Sequence, residues 1–253
     1  MTGDDHVLAR DLAGQAGQRL LELRTQGGDP DVLRKAGDRL SHEFLTAALA
    51  ALRPGDVVLS EEGADNPARL GGRRVWIVDP LDGTREFGEP GRTDWAVHVA
   101  LWESKANDLT AGAVALPAQD RILSTAEPPP PLAAGEAPAK IRIVVSRSRP
   151  PQFVRNISGL IDAELVPLGS AGAKVAAVIN GEVDAYVHGG GFYEWDTAAP
   201  VAVARAAGLH ASRIDGSDLA YNQADLLMPD ILVCRPAVAG VLLQAIREVT
   251  HAP

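Results

Sequence analysis

The chain has 253 residues, 46% of them hydrophobic, with a formal net charge of -9; that is enough apolar material for one large core or two modest ones without cross-links. A single cysteine, Cys234, excludes an intramolecular disulfide and a four-cysteine zinc site. Lys and Arg are scattered within an acidic balance, which argues against a nucleic-acid polymer as partner, and the absence of an 18-residue apolar run or a leader-like start leads us to expect no membrane partner and a reducing, cytoplasmic location.

In chain order, Leu8, Leu12, Ala16, Leu20 and Leu23 recur at spacings of three and four. They predict an amphipathic helix over 6–26 that Gly27 and Gly28 stop. Leu33, Leu40, Phe44, Ala48 and Leu52 predict a second over 31–52, closed by Pro54 and Gly55. The period then changes: apolar runs at 57–59 and 75–78 end directly in acidic residues, the pattern of buried strands with carboxylates at their tips. Trp95, Val97, Val99 and Leu101 alternate, and strands over 95–101, 109–116 and 121–126 read as an antiparallel meander. Residues 128–138 carry five prolines and read as a linker, dividing an N-terminal α+β domain, 1–138, from a C-terminal α/β domain, 139–253. Beyond it, strands at 141–145, 165–168, 185–188 and 231–234 alternate with helices at 151–161, 171–179, near Trp195 and at 238–249, an α/β layered arrangement.

The most informative string is Val75-Trp76-Ile77-Val78-Asp79-Pro80-Leu81-Asp82-Gly83-Thr84. Pro80 fixes a turn that brings Asp79 and Asp82 to one side with the Leu81 carbonyl between them. Oxygen donors without Cys or His select Mg2+ or Mn2+ over zinc; an ordinary Asp-rich turn after a strand is the competing reading. Asp196, after Trp195 at a helix start, reads equally as an N-cap worth about 1 kcal/mol, and Glu61-Glu62 as a solvated pair. None of the six histidines has ligand spacing, so none is assigned to metal. Cys234 reads as a small buried core residue. The acidic net charge does not exclude an anionic substrate, because carboxylates loaded with divalent cations invert the local field.

Together, Glu61-Glu62, Asp79-Pro80-Leu81-Asp82-Gly83-Thr84 and Trp195-Asp196-Thr197-Ala198-Ala199 resemble the inositol monophosphatase-like phosphatases, which also include fructose bisphosphatases and 3'-phosphoadenosine 5'-phosphate phosphatases. The resemblance implies an α/β/α/β/α layered sandwich, two or three Mg2+ ions (or Mn2+), and direct attack of water on a small-molecule phosphate ester. It makes Glu61, Asp79, the Leu81 carbonyl, Asp82 and Asp196 metal ligands, and Asp38, Thr84 and Glu61 the catalytic residues, with Thr84 holding the attacking water. Enhancements on the order of 10^21 are needed for such esters, which calls for a clamp on both attacking and leaving oxygens. The chain departs from the family pattern at Arg34-Lys35-Ala36-Gly37-Asp38, where the family's Thr is missing; Asp38 is assigned to pair with Thr84, an exposed helix aspartate being the alternative. Glu62 is expected to orient water or a ligand from behind Glu61.

After Gly83-Thr84 the chain continues Arg85-Glu86-Phe87. Family members acting on inositol phosphates typically have Thr-Asn-Phe there, and those acting on 3'-phosphoadenosine 5'-phosphate a basic residue and then Glu-Phe. Gly169-Ser170-Ala171-Gly172-Ala173-Lys174 resembles the nucleotide group's Gly-Ser-Ser segment. Small residues at a helix start let N–H groups approach an anion, with Lys174 adding charge; tight strand-to-helix packing is the other reading. The expected substrate-binding set is Asp82, Gly83, Thr84, Arg85, Ser170, Lys174, Glu194 and Asp196, with Tyr193 and Glu194 meeting a ribose or base. The resemblance thus implies a 3'(2'),5'-bisphosphate nucleotidase linked to sulfate assimilation, which converts 3'-phosphoadenosine 5'-phosphate to AMP and extends to the 5'-phosphosulfate. An inositol-1-monophosphatase with fructose 1,6-bisphosphate as side substrate is the alternative enzyme. A silent metal- or nucleotide-binding module is the alternative class, although Glu61, Asp79, Asp82, Thr84 and Asp196 are all present. Family members are often homodimers, and the resemblance leaves that state open here.

Overall fold

The computed structural model describes residues 4–131, 138–148 and 150–250. In chain order the elements are α1 (Asp5–Thr25), α2 (Pro30–Leu52), β1 (Val57–Ser60), β2 (Arg74–Asp82), α3 (Thr84–Gly88), β3 (Ala96–Glu103), β4 (Asp108–Leu116) and β5 (Arg121–Ser124). There follow β6 (Arg142–Ser146), α4 (Gln152–Leu160), β7 (Glu164–Leu168), α5 (Ala171–Ile179), β8 (Ala185–His188) and β9 (Phe192–Tyr193). The last are α6 (Glu194–Ala206), β10 (His210–Ser212), β11 (Leu227–Met228), β12 (Ile231–Cys234) and α7 (Pro236–Thr250).

Both N-terminal helices begin at aspartate caps. Asp4 accepts the His6 N–H at 2.9 Å, and Asp29 accepts those of Asp31 and Val32, with Pro30 opening α2. Leu12, Ala13, Ala16 and Leu20 of α1 meet Leu45 and Leu49 of α2 over one face of the first sheet, where Trp76, Val78, Val97 and Val99 are buried. Each leucine removed from water there contributes about 1.5–3 kcal/mol. That sheet runs β1-β2-β3-β4-β5, parallel between β1 and β2 and antiparallel thereafter.

The other face of the sheet, through Val75, Ile77, Ala96 and Ala100, packs on α5 and α6. Those helices share the same core with Val144, Tyr186, Ile231 and Val233 of the second sheet, ordered β10-β12-β8-β6-β7. The far side of the second sheet is closed by Val154 and Ile157 of α4 and Val238, Leu242 and Ile246 of α7. The alternation is therefore helices, sheet, helices, sheet, helices, the layering that the family resemblance implies.

Three differences matter. The β3 strand, whose alternating residues read as part of a meander, is buried on both faces from Ala96 to Trp102, because it lies mid-sheet between two helical layers. The turn after Asp82 goes on into the short helix α3, and β9, β10 and β11 are two or three residues each, too short to leave a periodic signal. Of the proline-rich segment at 128–138, residues 132–137 lie outside the described residues.

Candidate active site

The site forms where parallel strands β1 and β2 end side by side. Ser60 is paired with Val78, so Glu61 and Asp79 emerge together. Sheet register breaks between Asp79 and Asp82 at Pro80, and the Leu81 N–H donates to Asp79 Oδ1 at 3.0 Å. Gly83 then takes a left-handed conformation, φ 84°, that starts α3. A Cβ there would also come within 3.0 Å of the Ser170 side chain and 3.2 Å of the Asp94 carbonyl, so only glycine suits the position. Thr84 Oγ1 is placed 3.0 Å from the Leu81 carbonyl and 3.2 Å from Asp38 Oδ1 of α2. The pairing of Asp38 with Thr84 is therefore present in the fold, and Asp38 is half-buried, not a solvated helix aspartate.

Asp79, Asp82 and Asp196 each present a carboxylate oxygen within 4.8 Å of the others; Glu61 is not part of that triad and stands at its rim, partly exposed but close enough to feel the charges of Asp196 and Asp82. Burial, with the negative charges of Glu61 and Asp82 added, holds the Asp79 carboxyl well above the ordinary carboxylate range. Burial and the charge of Asp196 push Glu61 up to about 7, and burial with Asp82 pushes Asp196 up to about 6. Asp82 is the exception: burial alone would raise it, but His98, Lys174 and the Ser170 hydroxyl hold it at about 2. Asp38 is raised to about 6 by burial and by Glu62, against the Thr84 hydrogen bond. Oxygen donors that repel one another fit a divalent cation of the Mg2+ or Mn2+ type, which removes the repulsion and needs no thiolate or imidazole.

The start of α5 has a use the sequence did not reveal. Its Ala171 and Gly172 N–H groups and the Ser170 hydroxyl donate to Asp82 at 3.0, 2.6 and 2.5 Å, so the anion at this helix start is the protein's own carboxylate. Lys174 is buried and donates to the Gly169 and Ser170 carbonyls at 3.1 and 2.7 Å; burial lowers its pKa. Gly83, Thr84, exposed Arg85, Ser170 and Lys174 nonetheless line one cavity of about 260 Å3 together with Arg147 and Ser148. Arg147 donates to Glu86 and Glu89 at 2.8 and 2.9 Å; its contribution to this wall was not foreseen.

Two assignments change. Glu194, expected at the substrate, is 0% exposed, and its carboxylate oxygens accept the backbone N–H groups of Asn222 and Gln223, both at 2.7 Å; it anchors a loop, not a ligand. Tyr193 beside it stays exposed and stacks on Trp195 with centroids 4.8 Å apart. Asp196 is not the N-cap but the third residue of α6, its Oδ2 accepting the Tyr193 N–H at 2.6 Å. His98, passed over for lack of ligand spacing, lies buried between Asp82 and Trp195. A lone ionisable residue in an apolar strand was the available signal.

Among the described residues no helix is long and apolar enough to cross a membrane. The sequence is similar to 3'-phosphoadenosine 5'-phosphate phosphatases of Mycobacterium leprae (strain TN), 50% identical over 97% of this chain and 94% of the relative, and of Mycobacterium tuberculosis (strain CDC 1551 / Oshkosh), 51% identical over 92% and 90%. It is 33% identical to the 3'(2'),5'-bisphosphate nucleotidase CysQ of Escherichia coli (strain K12), over 83% of this chain and 91% of the relative. The fold matches inositol monophosphatase II of Staphylococcus aureus MSSA476 with a TM-score of 0.82 at 21% identity, covering 96% and 95% of the two chains. CysQ from Bacteroides thetaiotaomicron matches at 0.78 and 28%, covering 91% and 97%. Residues 8–251 match the inositol monophosphatase family model, and the chain belongs to the inositol monophosphatase family.

Proposed function

We propose that the chain is a Mg2+-dependent phosphomonoesterase that hydrolyses 3'-phosphoadenosine 5'-phosphate to AMP and phosphate, with the 5'-phosphosulfate analogue as a second substrate. Such substrates carry the link to sulfate assimilation. The observation that carries the reading is the adjacency of the carboxylate cluster and the Asp38–Thr84 pair to a cavity whose wall bears exposed Arg85, with Arg147 paired to Glu86 and Glu89 and with buried Lys174 behind it. A substrate with two phosphates needs one group at the cluster and cationic surface for the other. The names of relatives about half identical to this chain support the same substrate.

In this reading Glu61, Asp79, the Leu81 carbonyl, Asp82 and Asp196 hold Mg2+, which when bound neutralises phosphate oxygens and acidifies the attacking water. The remaining chemistry falls to the chain's own groups. Thr84 has one hydroxyl hydrogen; directing it to Asp38 leaves its lone pairs free to take a proton from water. Asp38, at about 6, is suited to accept the Thr84 proton near neutral pH. The water oxygen bonds to phosphorus as the bond from phosphorus to the ester oxygen breaks; the released oxygen takes a proton from solvent to give the alcohol, and Asp38 returns the proton it received to solvent. The Gly83 and Thr84 amides are the proposed grip on the phosphate, and Arg85, Ser170 and Lys174 the proposed contacts to the rest of the substrate.

The test is Mg2+-dependent phosphate release from 3'-phosphoadenosine 5'-phosphate, inositol 1-phosphate and fructose 1,6-bisphosphate in parallel, compared as kcat/KM. A preference for the nucleotide of about tenfold or more is expected, at least what a single methylene-sized contact supplies. Equal or better use of inositol 1-phosphate would keep the mechanism and overturn the substrate.

A further inference from the structure

We propose that His98 is a positioning residue for the carboxylate triad, a buried pin that fixes Asp82 relative to the start of α6 and so sets how tightly a divalent cation is held. The inference rests on the reading of Asp79, Asp82 and Asp196 as the metal site.

His98 is the register partner of Asp79 across β2 and β3 and is 0% exposed. Its ring reaches three separate segments. Nδ1 lies 3.1 Å from the Trp195 carbonyl; a carbonyl only accepts, so Nδ1 carries the hydrogen and donates. Nε2 lies 3.2 Å from Asp82 Oδ2, at an angle outside good hydrogen-bond geometry; both partners only accept, so a ring with a hydrogen on each nitrogen is the form these contacts favour. Nδ1 is also 4.0 Å from Asp79 Oδ2. The third segment is α5: a Cβ on Gly172 would sit 2.1 Å from Nε2, so the first turn of α5 is shaped around the ring.

These contacts complete a frame. Asp82 is fastened to α5 by two backbone N–H groups and Ser170, but no direct hydrogen bond joins it to α6 among the described residues. His98 supplies the link: one nitrogen touches Asp82, the other holds the carbonyl of the residue preceding Asp196. A hydrocarbon side chain would fill the same space in this apolar layer with no desolvation cost, so packing alone does not account for an imidazole here. Groups that orient ligating carboxylates typically change metal affinity by about 10–100-fold when removed.

The test uses the full chain freed of metal by chelation, with Mg2+ affinity measured by calorimetry and thermal melting of each metal-free variant as the control for folding. The variants are His98→Leu, His98→Asn and His98→Gln. Glutamine places an amide near the position of Nε2, whereas asparagine reaches only that of Nδ1. We expect His98→Leu to bind Mg2+ at least ten-fold more weakly than wild type and His98→Gln to stay within about three-fold. The half-saturating Mg2+ for phosphate release should rise in parallel, while KM for the ester at saturating Mg2+ moves less than two-fold. A cooperatively melting His98→Leu chain that binds Mg2+ as wild type does would overturn the proposal. If the leucine variant does not fold, Gln and Asn decide it: binding at least five-fold weaker in Asn supports the pin, and equal affinities overturn it. A wild-type chain that binds no Mg2+ overturns the metal reading first, and the role of His98 with it.

Discussion

Replacing Asp38 by Asn separates catalysis from stability. Asparagine keeps an oxygen that accepts from Thr84 Oγ1, now 3.2 Å from Asp38, but cannot take the proton. Loss of a positioned general base costs about 10^2–10^4 in rate, or roughly 3–5 kcal/mol of barrier at 1.36 kcal/mol per tenfold. Stability should move the other way. The Asp38 pKa is raised from 3.8 to about 6 by burial and Glu62, so the folded state binds more protons than the unfolded one between about pH 4 and 6. Stability therefore falls as pH rises through that window, and the charged carboxylate is a liability above it. At ~1.4 kcal/mol per unit the bound is about 3 kcal/mol, which solvent screening at a half-buried group reduces to roughly 1 kcal/mol. The metal-free Asn variant should melt about 2–4 °C higher than wild type at pH 8 and show no gain at pH 4. The assay is kcat/KM for phosphate release across pH with melting curves in parallel. Wild type should lose activity on an acid limb at or below pH 6, since a bound cation only lowers the pKa, and the variant's residual rate should lack that limb. A variant within threefold of wild-type kcat/KM with its acid limb intact would refute the relay through Thr84.

Asp82→Asn should abolish measurable turnover and also lower the melting temperature. Its amide nitrogen must face at least one of the Ser170, Ala171 and Gly172 donors, leaving buried donors opposed at a cost of about 1–3 kcal/mol; an active variant would remove the metal clamp from the mechanism. Mg2+ binding should weaken as pH falls from 8 to 6, because Glu61 at about 7 and Asp196 at about 6 must lose protons to ligate. Glu61 alone makes this about tenfold, and calorimetry in buffers of different ionisation enthalpy should record proton release at pH 6; pH-independent affinity would remove Glu61 from the ligand set.

What was legible in the sequence was local. A strand running into Asp79-Pro80-Leu81-Asp82-Gly83-Thr84 announces its own turn, and α1 and α2 declare their buried faces by period. The Asp38–Thr84 pair was reached through motif order and stands in the fold. What escaped depends on partners far away in the chain. The small-residue start of α5 was read as awaiting an external anion, and its ligand is Asp82, 88 residues earlier at Ser170. Glu194 looked like a mouth residue until an irregular segment 28 residues on supplied the N–H groups that bury it. His98 had no spacing to betray it, because its meaning comes from the pairing of β2 with β3. These long-range contacts explain an asymmetry that composition conceals. Of the clustered carboxylates Asp82 is compensated most fully, by His98, Lys174 and the start of α5, whereas Asp79 and Asp196 each accept one backbone N–H. Glu61, Asp79 and Asp196 are left to repel one another. A site compensated throughout would gain little from a cation and one compensated nowhere would arrive protonated; on the proposed metal reading, holding Asp82 ready would give an incoming cation its first ligand and leave the rest of the repulsion for it to relieve.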